Sequence, residues 1–125
     1  MLINICSDDL PASEAFYTQL FNFKPAFSSE WFINLIAEDQ GLELAIIAQD
    51  HQIVPERLRQ NPADGFYVTI VIEDVDQFYE SAKQYKAKII AAPEDTFYGQ
   101  RRLLIQDPNG VVIDVSSPIP GFTFG

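Results

Sequence analysis

The order strand, helix, three strands occurs twice along the chain, and this repetition narrows the fold more than any single residue does. Superposing Asp9-Leu10 on Asp74-Val75 sets a period of about 65 residues, and it brings Gly41 close to Gly110. Each half has a sheet with one helix on one face, leaving the other face uncovered. Two such sheets can bury or line a shared space, so a ligand cavity is the natural expectation.

In the first half, residues 2–6, 23–28, 31–37 and 42–48 alternate or run apolar and read as strands. Asp8-Asp9-Leu10-Pro11 reads as a helix start, because an Asp side chain caps free amides and Pro is tolerated in the first turn. That helix presents Ala12, Ala15, Phe16 and Leu20 as its inward stripe, to about Phe21. Residues 51–65 are polar, hold two prolines, and read as a connection with a helical turn around 55–59.

The second half opens with a strand at 66–72 and a helix whose Val75, Phe78, Ala82 and Tyr85 recur at three- and four-residue intervals. A strand at 88–92 follows, which Pro93-Glu94-Asp95 is expected to break. Residues 98–117 form the clearest hairpin, around Asp107-Pro108-Asn109-Gly110. Pro108 presets φ there, and Asn109 and Gly110 tolerate positive φ. One domain of 1–125 is thus expected, with module one at 1–50, the connection at 51–65, module two at 66–117 and a tail at 118–125.

Composition bounds the function classes. With 47% apolar and 21% charged residues, a continuous core forms without staples, and the single Cys6 makes no internal disulfide. A reducing, cytoplasmic setting is the expectation, with no signal-like start and no apolar run of bilayer length. A net charge of −10 repels phosphate backbones and anionic lipid, so neither nucleic acid nor membrane is an expected partner. Residues 1–50 hold eight acids and one base, Lys24, which steers cations toward the protein.

Several side chains stand out as site candidates. Asp114 interrupts an apolar strand and must face water, a partner or a pocket. Glu43 interrupts its strand in the same way. Arg101 and Arg102 are adjacent on a strand and point to opposite faces, so one of them lines the cavity, either paired to Asp114 or touching a ligand. Asn4 either orients a ligand or makes an edge hydrogen bond. Trp31, Phe32, Phe66, Tyr67, Phe97 and Tyr98 supply rings for core or for stacking. His51, between Asp50 and Gln52, is expected to be solvated, and Cys6 to be a small core residue.

The repeated order, with DLPASEAFY near the start and YGQRRLLIQDPNGVVIDV near the end, resembles the vicinal oxygen chelate superfamily of glyoxalases, bleomycin-resistance proteins, fosfomycin-resistance enzymes and extradiol dioxygenases. The resemblance implies an α+β fold: two tandem βαβββ modules forming a cupped, incompletely closed mixed sheet, commonly in a homodimer. Its metal-dependent members place a His on the first strand of each module and a Glu on the last. Those positions fall on Leu2 and Tyr67, on Ala45 or Glu43, and on Asp114. At most two carboxylates remain, so no metal or cofactor is expected.

The expected function is therefore metal-free binding of a cationic or aromatic small molecule in an acidic cleft, as in drug sequestration and antibiotic resistance. The expected contacts are Asn4, Trp31, Glu43, Tyr67, Phe97, Arg102 and Asp114, with no catalytic residue. Two other readings stay open: a lyase- or dioxygenase-like enzyme with non-standard ligands, and a regulatory subunit with a vestigial cavity.

Overall fold

The computed structural model describes residues 1–60 and 64–122. The chain divides into two compact units, Met1–Asp64 with Pro108–Gly110, and Gly65–Asp107 with the residues from Val111 onward. Parts of the connection (61–63) and of the tail (123–125) lie outside the described residues. Each unit is a βαβββ module, so the α+β fold with two tandem modules is present.

The first module runs β1 (Ile3–Ser7), α1 (Leu10–Phe21), β2 (Lys24–Ser28), β3 (Phe32–Ala37) and β4 (Leu42–Ala48). Its sheet order is β1-β4-β3-β2, with β1 and β4 parallel and the other neighbours antiparallel. The helix begins where Asp9 Oδ1 accepts the Ala12 amide at 3.0 Å, with Pro11 in the first turn. The buried face of α1 is Leu10, Ser13, Phe16, Tyr17 and Phe21, whereas Ala12, Ala15 and Leu20 are only half-buried. The expected stripe is thus rotated toward Tyr17. The polar residues Ser13, Glu14, Thr18 and Gln19 are scattered around this helix, so spacing alone does not choose the face. The rings choose it, since Tyr17 packs edge-on against Phe16 at 5.0 Å and Phe23 at 5.9 Å between centroids. Ser13 is tolerated inside because its hydroxyl meets that of Ser7 at 2.9 Å.

The second module runs β5 (Tyr67–Val71), α2 (Val75–Tyr85), β6 (Lys88–Asp95), β7 (Gln100–Gln106) and β8 (Val112–Pro118), in the sheet order β5-β8-β7-β6. Asp74 Oδ1 caps α2 by accepting the Gln77 amide at 3.1 Å. Val75 and Ala82 are buried and Phe78 and Tyr85 half-buried, which is the expected stripe. Pro93 does not break β6, contrary to expectation. The strand continues to Asp95 through two register shifts, and as an edge strand it does not need the amide that proline lacks. Between β7 and β8, Gly110 takes φ +91°, and the buried Asp107 carboxylate accepts the Val111 amide at 2.8 Å.

Strand parity separates two faces in each sheet. In the first module Ile5, Ile33, Leu35, Leu44 and Ile46 form the core under α1, while Asn4, Cys6, Asn34, Glu43 and Ile47 share the opposite face. In the second, Ile70, Leu103, Ile105, Ile113 and Val115 are the core under α2, and Tyr67, Thr69, Arg102, Asp114 and Ser116 share the opposite face.

Candidate functional site

The first module holds a cavity of about 470 Å³ against the face away from its helix. Asn4 and Cys6 of β1, Phe32 of β3 and Ile47 of β4 supply its floor, and Trp31 one wall. Ile53, Val54, Pro55 and Leu58 of the connection supply the other wall. A segment expected to be a polar linker therefore carries four of the nine lining residues. The signal was present as apolar residues at 53, 54 and 58, but a polar average over the segment hides them.

Trp31 is 38% exposed and stacks on His51 at 4.1 Å with the ring planes 13° apart. His51 is thus half-buried rather than solvated. Its Nδ1 accepts the Ile53 amide at 3.2 Å, which leaves the ring proton on Nε2 when the imidazole is neutral. The imidazole holds the indole from behind and fixes the orientation of the cavity wall. Cys6 lies in this lining rather than in the core, and burial pushes its thiol pKa up. Glu43 shares the face but not the cavity; its Oε1 accepts Asn34 Nδ2 at 2.9 Å.

The second module gathers three of the sequence candidates at one place. Asp114 is buried, and its Oδ1 accepts Ser116 Oγ at 2.5 Å while its Oδ2 accepts Thr69 Oγ1 at 3.1 Å. Arg102 Nε lies 3.4 Å from Oδ1 and completes the charge pair. The Arg102 guanidinium carbon stands 6.0 Å from the centre of the Tyr67 ring. Arg101 points to the helix side, where it holds Asp76 at 3.1 Å and Asp95 at 3.1 Å. Arg102 is therefore the arginine on the open face. Phe97 stands apart, 91% exposed in the turn before β7, with its ring edge-on to Tyr98. Thr69 and Ser116 were missed by the sequence reading. Ser116 shares parity with Asp114, but Thr69 needs the β5–β8 register to be found.

The same registers test the ligand positions of metal-dependent relatives. Parallel pairing sets Asn4 beside Ala45 in the first module and Thr69 beside Asp114 in the second, so Ala45 corresponds to Asp114, and Glu43 corresponds to Val112. The four positions are then Leu2, Ala45, Tyr67 and Asp114, which offer two side chains with no donor atom, a phenol, and a carboxylate already paired with a guanidinium. This set does not fit a divalent metal.

Two tandem βαβββ modules, each with a helix on one face of its sheet, define the class of protein. The chain belongs to the glyoxalase/bleomycin resistance protein/dioxygenase superfamily, whose family model matches residues 2–115. Among solved structures it is similar to a glyoxalase/bleomycin resistance protein/dioxygenase family enzyme from Burkholderia phytofirmans PsJN (TM-score 0.80, 23% identity, 94% of this chain and 97% of that one). It is also similar to a genomically encoded fosfomycin resistance protein from Listeria monocytogenes (TM-score 0.76, 16% identity, 96% and 93%). A third is lactoylglutathione lyase from Agrobacterium tumefaciens (TM-score 0.72, 18% identity, 94% and 91%). No curated protein matches the sequence. Among the described residues no helix is long and apolar enough to cross a membrane.

Proposed function

We propose that the protein binds a planar aromatic small molecule without a metal, in the cavity of its first module. The observation that carries this is the Trp31 wall, held by His51 over an otherwise apolar lining of about 470 Å³ in which Asn4 provides a polar anchor. Stacking on an indole contributes about 0.5–1.5 kcal/mol beyond the apolar area removed from water. A positive group on the ligand is favoured by the net charge of −10 and by Glu43 on the same face. Asp114 is a poor cation anchor, because Arg102 already answers its charge. Holding such a molecule without transforming it is the mode of action expected of drug sequestration in antibiotic resistance.

Trp31 is the chain's only tryptophan and Cys6 its only cysteine, so two intrinsic reporters sit in one cavity. Titration with planar aromatic cations such as acridinium or ethidium is expected to change Trp31 emission and to slow alkylation of Cys6. Trp31→Ala should weaken binding about tenfold. Ligands that bind with no protection of Cys6 would place the site elsewhere. Because the thiol pKa is raised, alkylation of the free protein should be slow at pH 7 and climb as the pH rises toward that value.

A homodimer is part of the same proposal. Phe27, Val71 and Ile90 project exposed apolar surface from the sheets, and every residue of the edge strand β2 is exposed. A symmetric partner covers such edges and side chains at no cost in designed polarity. Light scattering should give twice the monomer mass at micromolar concentration, and a monomer there would contradict it.

A further inference from the structure

We propose that Arg102 is an oxyanion-recognition group, presenting the free edge of its guanidinium on the open face of the second module to the carboxylate of a small organic acid. The site lies within the second unit and does not rest on the cavity of the first. Asp114 is 7% exposed in its side chain and is held on both oxygens by Ser116 and Thr69, so it is a fixed post rather than a mobile partner. The nearest approach of Arg102 to it is through Nε, at 3.4 Å and out of line for a hydrogen bond. A guanidinium carries five N–H donors in a planar fork. Among the described residues the terminal nitrogens of Arg102 have no hydrogen-bond acceptor, although its side chain is 30% exposed.

The neighbouring arginine shows what a saturated guanidinium looks like here. Arg101 engages two carboxylates at once, Asp76 through Nε and Asp95 through Nη1. Arg102 engages one, and the geometry suits a second carboxylate docking in bidentate fashion on its outer edge. The Tyr67 ring, 59% exposed and 6.0 Å from the guanidinium carbon, offers a flat surface for the body of the acid. Glu94 lies directly across from Arg102 in the β6–β7 register, exposed and with no ion pair among the described residues. It is the built-in competitor for the same edge. A cation has no comparable place, because the Asp114 side chain is 7% exposed and its charge is already answered by Arg102.

Benzoate and benzamidinium have one shape and opposite charge, and amide chemical shifts of the isotope-labelled protein separate their sites. Benzoate is expected to shift Tyr67, Arg102 and Asp114 saturably, in the millimolar range usual for a fragment, and benzamidinium to leave them in place. Arg102→Lys keeps a positive charge beside Asp114 but loses the fork, and should weaken benzoate about tenfold. Glu94→Gln should tighten it several-fold by removing the competitor. Arg102→Met should abolish the shifts; if that variant does not fold, Arg102→Lys decides alone. Unchanged benzoate affinity in Arg102→Lys, shifts at Trp31 in place of the three residues, or benzamidinium perturbing those three while benzoate does not would each overturn the assignment. The Trp31 emission assay reports on the first module alone, so either idea can fail without the other.

Discussion

Arg102→Met is expected to destabilise the protein by about 2–4 kcal/mol, and the double variant Arg102→Met/Asp114→Leu to recover most of that loss. The single change leaves the carboxylate of Asp114, 7% exposed, without its cation, and Ser116 and Thr69 answer only its lone pairs. An orphaned buried charge costs about 3–5 kcal/mol; the lower range applies because Arg102 is 30% exposed and water replaces part of its contribution. Removing both members eliminates the desolvation cost along with the attraction. Urea unfolding of the four proteins of the cycle measures the coupling. If the double variant is as unstable as the single one, the pair is needed for packing and not for charge balance.

Phe16→Ala is expected to cost about 3–5 kcal/mol, whereas Phe97→Ala should stay within about 0.5 kcal/mol. The residue type is the same and the environments are opposite. Phe16 is 2% exposed at the centre of the α1 ring cluster, in contact with Tyr17 and Phe21, so truncation opens a cavity that the sheet cannot close. Phe97 is 91% exposed and touches only Tyr98 among the ring contacts described. Thermal unfolding of both variants decides between them. Comparable losses would mean that Phe97 is covered in solution, which would support the dimer.

Local chemistry was enough to read the skeleton from sequence. Asp9 and Asp74 act as helix caps, and Asp107 and Gly110 form the reversal between β7 and β8, all through interactions spanning a few residues. Period-two alternation likewise forces Arg101 and Arg102 apart. Which of them meets Asp114 was not legible, because that depends on the β7–β8 register, which sets Arg102 opposite Ser116 and so on the face of Asp114. The burial of Ser13 and Tyr17 in place of Ala12 and Leu20 also needs tertiary contacts: a helix whose polar residues are scattered around its girth has no unique inward stripe until a sheet is laid against it.

The sequence singled out individual side chains but not how they group. Asn4 and Trp31 meet in one cavity; Tyr67, Arg102 and Asp114 meet on another module's sheet; Glu43 and Phe97 join neither. Spacing along a strand fixes the face a side chain takes, but not its neighbours on other strands or the path of a loop. The sequence by itself determined the duplicated βαβββ order and the absence of metal-donor side chains at Leu2 and Ala45, because both are properties of residue type and local period. Only the tertiary structure decided that Asp114 is answered by Arg102, that His51 backs Trp31, and that residues 53–58 wall a cavity. Each of these rests on contacts between residues far apart in the chain, whose partners are set by strand register and chain reversal rather than by local composition.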